Sequence, residues 1–220
     1  MTPVTFWFDP VSPYACLAFE RLPHALAGCS YAVTYRPVLL AALLQHWGQL
    51  GPAEFAPKRD WTYRQVAWLA RAQGSALQLP AAHPFNPLPL LRLLVACGRD
   101  GLPSRRQCER VFEHVWHGGA AADDPARLAA LTAALAPAHD PQCAAVKQAL
   151  RAHTDAALAR GVFGVPTLEL PPPRDGAAPR LFFGADSLDM AAACLRGDPW
   201  FDTAWDEVAR RPVGATRRTG

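Results

Sequence analysis

The sequence predicts an α/β fold in which two strand-containing ends enclose a long helical middle. Residues 4–8 and 31–36 are short β-favouring runs separated by a helical pattern, and the right-handed crossover of such a βαβ unit makes its two strands parallel. Residues 165–170 and 181–183 are also strand-like, and the proline-rich stretch between them predicts an antiparallel hairpin. A final helix from Asp186 to about residue 196 then completes a ββα unit.

The junction between the first strand and the first helix is suited to holding an anion. Asp9 and Pro10 end the strand, Ser12 stands where a helix N-cap belongs, and Pro13 occupies the first helical position. From Tyr14 onward, apolar residues recur at helical spacing. A hydroxyl, free backbone N–H groups and the positive end of a helix dipole therefore meet at the carboxyl end of a strand, as a site for a thiolate or a phosphate requires. The alternative interpretation is that Ser12 only caps its helix.

Capping signals divide the middle of the chain into helices. They predict helices over residues 38–46, 60–73 and 88–97, a helix that runs from a capping box at Ser104 to His117, and two helices that begin at Asp124-Pro125 and Asp140-Pro141. The last of these helices runs to about residue 160. Residues from 210 onward are rich in arginine, glycine and threonine, a composition typical of a disordered tail.

Composition argues against several classes of partner. The 220-residue chain is 50% hydrophobic, and its net charge of +3 is spread thinly, so we expect no nucleic-acid partner. No stretch approaches the roughly 18 apolar residues of a membrane span, and the first residues lack the features of a signal peptide. The six cysteines form no C-x-x-C pair and no metal-type motif. Isolated thiols without an export signal fit a reducing compartment, so we expect a cytoplasmic protein with no membrane association.

The order of these elements resembles a thioredoxin-like fold with a large all-helical insertion, as in DsbA and the kappa-class glutathione transferases. The resemblance implies a discontinuous thioredoxin-like domain (residues 1–38 and 158–200), a helical insertion domain (residues 39–157) and a partly disordered C-terminal extension (residues 201–220). The C-x-x-C of the fold is replaced here by Ser12-Pro13-Tyr14-Ala15, so two-thiol disulfide exchange is impossible at this position. The segment Gly161-Val-Phe-Gly-Val-Pro166-Thr167 matches the loop that carries the cis-proline of the fold.

Four motifs together resemble the 2-hydroxychromene-2-carboxylate isomerases, which are relatives of the kappa-class glutathione transferases. They are Phe8-Asp9-x-x-Ser12-Pro13-Tyr14, Arg36-Pro37-Val38-Leu39, the loop at residues 161–167, and Phe183-Gly184-Ala185-Asp186-Ser187-Leu188. The resemblance covers about residues 4–200. It implies a glutathione-dependent enzyme, usually a homodimer, that acts on a small-molecule substrate of the aromatic-derived enone class.

The same resemblance assigns glutathione-binding roles to individual residues. Ser12 would hold the glutathione sulfur as the catalytic residue, and the backbone of Val165, just before Pro166, would pair with the tripeptide as a short strand does. Lys58 would pair with a glutathione carboxylate. The γ-glutamyl end would contact Phe183, Gly184, Ala185 and Asp186, with Asp186 facing its ammonium group. Taken alone, Asp186 is a good helix N-cap and Lys58 a solvated surface charge.

The substrate-contacting residues are less well defined by the resemblance. Gln49 stands where family members often carry asparagine, and residues 38–46 offer no Lys or Arg for a substrate carboxylate. Tyr14, Gln49 and His83 are therefore assigned as substrate contacts, with Arg92 as an alternative to His83. His83 precedes Pro84 in a loop, so it can equally well be an ordinary loop histidine.

Two further patterns have ordinary explanations. Glu113-His114-x-x-His117 places possible metal ligands on one helix, but no fourth ligand can be named, so we expect no metal site. Trp61, Tyr63 and Trp68 recur at helical spacing and are predicted to be core or dimer contacts. Two alternative functions stay open: a kappa-like glutathione S-transferase, and a non-catalytic thiol-peptide binding protein.

Overall fold

The computed structural model describes residues 1–98, 100–212 and 214, and its strands form a mixed sheet in the order β2-β1-β3-β4. The strands are β1 (Thr2–Phe8), β2 (Tyr31–Pro37), β3 (Thr167–Leu170) and β4 (Arg180–Phe183). β1 pairs in parallel with β2 and antiparallel with β3, and β3 and β4 form an antiparallel hairpin. The predicted α/β fold, with its parallel βαβ unit and its terminal hairpin, is confirmed.

Helices account for most of the remaining chain. They are α1 (Pro13–Ala25), α2 (Leu40–His46), α3 (Ala56–Gln73), α4 (Leu88–Cys97), α5 (Arg105–Trp116), α6 (Pro125–Leu135), α7 (Ala144–Ala159), α8 (Leu188–Leu195), α9 (Trp200–Thr203) and α10 (Trp205–Ala209). A short 3₁₀ turn, Ala185–Ser187, precedes α8. None of the described helices is both long and apolar enough to cross a membrane.

Local capping chemistry explains where several of these helices begin. The Asp124 carboxylate accepts a hydrogen bond from the Arg127 N–H at 2.8 Å, and Ser104 forms the predicted capping box with Gln107. The predicted start at Asp140-Pro141 is wrong, since α7 begins only at Ala144. The Asp140 carboxylate and carbonyl instead accept the next N–H groups, of Gln142 and Cys143, and so form a separate turn.

The start of α3 also differs from the prediction, because Pro57 lies inside the first turn of the helix rather than in the preceding loop. Proline is tolerated there, since its missing N–H has no partner within the helix. The predicted C-terminal cap is confirmed: Gly74 adopts a left-handed conformation with φ of 67°. The earlier start of α3 matters for function, because its first two turns form part of the cavity described below.

One hydrophobic core joins the sheet to the inserted helices. The Phe112 ring of α5 lies 5.4 Å from the ring of Phe8 in β1 and 4.9 Å from the ring of Phe19 in α1. Trp116, also in α5 and fully buried, donates its indole N–H to the Pro10 carbonyl at 2.9 Å. The inserted helices therefore support the loop between β1 and α1 directly.

The chain beyond α8 packs against the hairpin. The ring of Phe182 in β4 lies 5.9 Å from that of Phe201 in α9 and 5.4 Å from that of Trp205 in α10. The Arg180 guanidinium donates hydrogen bonds to the Phe201 carbonyl at 2.6 Å and to Asp202 at 2.9 Å. The extension is thus helical as far as residue 209, whereas residues 213 and 215–220 of the predicted disordered tail lie outside the described residues.

Candidate functional site

A cavity of about 800 Å³ opens at the carboxyl end of β1. Its mostly apolar wall comes from the β1–α1 junction, α2 and the following loop, the first two turns of α3, and the loops at 83–87 and 163–165. Seven of the predicted site residues line it: Ser12, Tyr14, Gln49, Lys58, His83, Val165 and Phe183. The other four, Pro166, Gly184, Ala185 and Asp186, adjoin Val165 and Phe183 along the chain but are not part of this wall. The volume is in the range of small-molecule and cofactor sites.

Ser12 is the N-cap of α1 and is 6% exposed. Its hydroxyl oxygen accepts a hydrogen bond from the Ala15 N–H at 3.2 Å, and its hydroxyl proton is donated to the Val165 carbonyl at 3.3 Å. The two predicted features, the helix start and the proline loop, are therefore in direct contact. Because Ser12 both caps the helix and lines the cavity, its structural and functional interpretations are compatible.

The loop before β3 carries a backbone N–H group that has no partner among the described residues. The Val165–Pro166 peptide bond is cis, as predicted. Within the described residues the Val165 N–H donates no hydrogen bond, and pairing of the sheet starts only at Thr167. Val165 is 7% exposed and lies on the cavity wall. An unpaired backbone N–H in a residue on the cavity wall is suited to a ligand that supplies a carbonyl group.

The segment after β4 is held against the same loop. The Gly184 N–H donates to the Pro166 carbonyl at 2.9 Å, and Gly184 has a φ of 94°, which favours glycine. The rings of Phe163 and Phe183 pack with their centroids 4.6 Å apart at the cavity wall. Gly164 permits this packing, because a Cβ on Gly164 would lie 2.7 Å from Cε2 of Phe183.

Two charged residues are available for a ligand: Lys58 on the cavity wall, and Asp186 close enough to Tyr14 to act on its hydroxyl. Asp186 is exposed in the 3₁₀ turn, and Lys58 is exposed in the first turn of α3. Neither forms an ion pair with the residues that the structure describes. Asp186 is not the N-cap of α8, as its ordinary interpretation required, since that position is held by Ser187. Burial raises the pKa of the Tyr14 hydroxyl, a hydrogen bond with the Thr62 side chain acts against this increase, and the Asp186 charge adds to it.

Asp9 contributes a buried carboxyl group to the cavity, a role that its position at a strand end did not indicate. Its two oxygens accept hydrogen bonds from the N–H groups of Val11 at 3.0 Å and Leu40 at 2.9 Å. Burial is complete and outweighs these two bonds, so the pKa of Asp9 is raised from 3.8 to about 7. Asp9 thus ties the β1–α1 junction to the start of α2.

His83, a predicted substrate contact, lies on the cavity wall beside Tyr63, a residue predicted from the sequence to be a core or dimer contact. Nε2 of His83 lies 2.8 Å from the Val11 carbonyl, and Nδ1 lies 2.9 Å from the Tyr63 hydroxyl. The Tyr63 hydroxyl is also 2.8 Å from the His83 carbonyl. The sequence did contain a signal for the position of Tyr63: at helical spacing, Tyr63 lies on the opposite face of α3 from Trp61 and Trp68.

Gln49 and Arg92 have different positions. Gln49 is exposed at the cavity edge, where its backbone N–H donates to the Leu44 carbonyl at 2.9 Å. Arg92 is not part of the cavity wall and donates instead to the Gln142 side chain in the loop before α7 at 3.3 Å. The structure therefore favours His83 over Arg92 as the polar side chain of the cavity.

The comparison with protein families agrees with this geometry. Residues 3–196 match the model of the DSBA-like thioredoxin domain, which is most of the chain. The chain belongs to this family. The DSBA-like domain here thus includes both the sheet and the inserted helices, and the fold predicted from the sequence is confirmed.

Individual relatives of this DSBA-like protein include transferases, isomerases and reductases. Glutathione s-transferase kappa 2 of Caenorhabditis elegans is 26% identical over 208 residues, which cover 87% of this chain and 91% of the relative. A solved 2-hydroxychromene-2-carboxylate isomerase has a TM-score of 0.74 at 24% identity, with coverage of 92% and 98%. The cytosolic disulfide reductase DsbM from Pseudomonas aeruginosa, solved with GSH, has a TM-score of 0.52 at 14% identity, with coverage of 94% and 99%.

This DSBA-like domain has no reactive thiol at its helix start. Cys16, one residue beyond the Ser12–Ala15 segment, is fully buried, and its sulfur lies 3.7 Å from the Glu20 carboxylate. Burial, together with the negative charge of Glu20, raises the pKa of Cys16 well above its ordinary value. All six cysteines are free. Ser12 is therefore the polar group at the position that the fold uses for a thiol.

The possible metal ligands on α5 each have another partner. Nε2 of His114 lies 2.9 Å from the Ala122 carbonyl, Glu113 pairs with Arg110 at 2.7 Å, and His117 faces Glu20 at 3.3 Å. Within the described part of the chain, no three metal-binding side chains come together.

The predicted core position is wrong for Trp61 and Trp68, which are 61% and 65% exposed. Helix α3 packs on α1 through the opposite face, which carries Val66 and Ala70. A dimer contact at the two tryptophans stays a prediction.

Proposed function

We propose that this DSBA-like protein is a glutathione-dependent isomerase of the 2-hydroxychromene-2-carboxylate isomerase type. The observation that carries the proposal is the contact between the Ser12 hydroxyl and Val165, next to a free Val165 N–H on the wall of a large cavity. The kappa-class transferase and isomerase relatives support it by their names. We also propose, from the family resemblance, a cytoplasmic homodimer.

The residues at the cavity fit a γ-glutamyl-cysteinyl-glycine tripeptide. Val165 offers an unpaired N–H to a peptide carbonyl, Lys58 offers a cation to a carboxylate, and Asp186 offers an anion to an ammonium group. Ser12 lies at the positive end of the α1 dipole, which favours an anionic sulfur. Phe183, Gly184 and Ala185 would hold the γ-glutamyl end, and the Pro166 carbonyl fixes Gly184. When bound, glutathione supplies a thiolate that adds reversibly to a conjugated enone, so that a double bond becomes a rotatable single bond.

Ser12 acts in this proposal as a hydrogen-bond donor and not as a nucleophile. Its proton is directed at a carbonyl, and none of its hydrogen bonds is to a group that could remove that proton. A serine without an adjacent base is a poor nucleophile. The helix dipole and the Ser12 hydroxyl instead lower the pKa of a thiol held beside them, and the mostly apolar wall excludes water from the reacting groups.

The proposal is tested first by binding. Isothermal titration calorimetry should give a saturable isotherm with glutathione and a weaker one with S-methylglutathione, which cannot form the thiolate. In a second step, 2-hydroxychromene-2-carboxylate is incubated with enzyme and a trace of glutathione. The isomerisation is followed by absorbance, and the amount of product formed should greatly exceed the amount of glutathione added. Absence of glutathione binding to the folded protein refutes the proposal.

A kappa-like transferase is the second candidate, favoured by the Caenorhabditis elegans relative. Mass spectrometry of the reaction separates the two candidates. An isomerase leaves free glutathione at its initial concentration, whereas a transferase accumulates a glutathione conjugate in proportion to turnover. Binding without turnover of any enone would leave a non-catalytic thiol-peptide binding protein.

A further inference from the structure

Tyr63 and His83 form a hydrogen-bonded pair on the cavity wall that has no assigned role in holding glutathione. Both side chains line the same cavity as Ser12, and the pair is anchored through His83 to the Val11 carbonyl, one residue before Ser12. The Val11 carbonyl can only accept a hydrogen bond, so Nε2 of His83 carries a proton in every protonation state. The remaining nitrogen, Nδ1, faces the Tyr63 hydroxyl at 2.9 Å.

When His83 is neutral, this pair has one hydrogen-bond acceptor more than it has protons to donate. Tyr63 has a single hydroxyl proton, yet two acceptors lie within reach of it: Nδ1 of His83 at 2.9 Å and the His83 carbonyl at 2.8 Å. If His83 gains a proton on Nδ1, Nδ1–H donates to the Tyr63 oxygen and the Tyr63 hydroxyl donates to the carbonyl. Every donor and acceptor of the pair is then satisfied. The arrangement is therefore preorganised to take up one proton.

Burial and neighbouring charges act on the pair in opposite directions: burial disfavours a charged His83, whereas the Arg59 cation favours negative charge beside Tyr63. Burial lowers the pKa of His83, while its hydrogen bond to the Val11 carbonyl acts in the opposite direction. Arg59 lies one helical turn before Tyr63 and also lines the cavity. Burial raises the pKa of Tyr63, and the Arg59 charge opposes this increase while Asp60 adds to it. Arg59 would stabilise negative charge that develops on a ligand beside Tyr63.

The other acidic groups of the cavity are already engaged. Both oxygens of Asp9 accept backbone N–H groups, and the Glu54 carboxylate accepts the Gly51 N–H at 2.6 Å. The rest of the wall is largely apolar. Tyr63 differs from these groups because its hydroxyl is linked to Nδ1 of His83 and can pass a proton on to it.

We propose that Tyr63 and His83 act together as the general base for a hydroxyl group of the substrate. The substrate O–H bond breaks and its proton binds the Tyr63 oxygen, while the Tyr63 proton moves to Nδ1 of His83. The substrate oxygen keeps the electron pair, and His83 becomes an imidazolium that returns the proton when the steps reverse. This inference rests on the proposed function, because it assigns a substrate group to the same cavity.

The test uses 4-nitrophenol, whose phenolate is yellow, without glutathione. The wild-type protein should bind it and raise the fraction of phenolate at pH 6 above that of free probe. Tyr63→Phe should weaken binding about tenfold, the loss of one hydrogen bond to a charged group. His83→Asn keeps a partner for Tyr63 but cannot take up the proton, so bound probe should stay colourless. Tyr31→Phe, a tyrosine outside the cavity, is the matched protein control.

A ligand control and the glutathione titration make the outcomes distinct. 4-Nitroanisole has no hydroxyl proton and should bind wild type and Tyr63→Phe equally. An unchanged affinity and phenolate fraction for 4-nitrophenol in Tyr63→Phe overturns the proposed base, as does failure of the wild type to bind the probe. If 4-nitrophenol behaves as expected but glutathione does not bind, the glutathione function fails and the proton-accepting pair stands.

Discussion

Replacing Ser12 by alanine separates its structural contribution from its contribution to ligand binding. The change removes the hydrogen bond that caps α1, from the Ala15 N–H at 3.2 Å, and leaves the Val165 carbonyl without its donor. Loss of a cap costs about 1 kcal/mol, and loss of the second bond costs about 1 kcal/mol. For a chain of this length, a loss of about 2 kcal/mol lowers the melting temperature by about 4–8 °C. The variant should therefore fold.

The effect of the same change on glutathione affinity should be larger than its effect on stability implies. A hydrogen bond to a charged sulfur contributes about 1.5–3 kcal/mol, so the dissociation constant should rise about 10- to 100-fold. Calorimetry on the folded variant measures this change directly. Ser104→Ala is the matched control, because Ser104 caps α5 in the same way and lies outside the cavity. It should lose stability and keep its affinity for glutathione.

The reasoning is refuted if Ser12→Ala binds glutathione as tightly as wild type, or if Ser104→Ala loses as much affinity. The first result would leave Ser12 as a helix cap alone. The second would show that affinity follows general stability rather than the contact at the cavity.

Three further predictions concern pH, packing and thiol reactivity. The pKa of Asp9 is raised to about 7, so the folded state keeps a proton that the unfolded chain releases, and stability contributed by the neutral carboxyl is lost as pH rises from about 4 to 7. In urea unfolding at a series of pH values, Asp9→Asn should remove up to about 4 kcal/mol of this loss of stability. The pKa of His153 is lowered to about 4, so His153 makes stability rise with pH, but it does so equally in both proteins and cancels in their difference. An equal dependence of stability on pH in the two proteins would contradict the raised pKa of Asp9. Gly164→Ala should displace the Phe183 ring and weaken glutathione binding in calorimetry, with little change in melting temperature because the displaced atoms belong to a side chain, and unchanged binding would argue against Phe183 as a contact. Because Cys16 is buried and no C-x-x-C exists, an insulin-reduction assay should stay at background, and a clear positive would mean that another cysteine is catalytic.

The parts of the fold that short-range signals control could be predicted from the sequence. Strand runs, the caps at Ser12, Ser104 and Asp124, and the glycine stop at Gly74 depend on residues only a few positions apart. The prediction of where α7 begins was wrong because Asp140-Pro141 has the same local signal as Asp124-Pro125 but forms a separate turn instead. Nothing within a few residues distinguishes the two pairs.

The candidate site was predictable where a family motif covers it and not elsewhere. Ser12 and Val165 lie 153 positions apart, and their contact follows only from a recognised fold. Tyr63 and His83 meet because of the path of the loop between α3 and α4, which no periodicity specifies. The complete burial of Asp9 likewise depends on the way α2 closes over the strand end. Long-range packing therefore decided which polar residues face the cavity.

The hydrogen bond between Ser12 and Val165 occupies two groups that a ligand at the start of α1 would use in the proposed function. When the Ser12 proton turns towards a sulfur atom, the Val165 carbonyl becomes an unpaired acceptor next to the already unpaired Val165 N–H. A cysteine residue within a peptide can satisfy all three groups at once, because its sulfur, its N–H and its carbonyl are separated by only a few bonds. A simple thiol can satisfy only the first and leaves the carbonyl without a partner. If the proposed function holds, the unliganded bond would therefore favour peptide thiols over small thiols at the end of the helix.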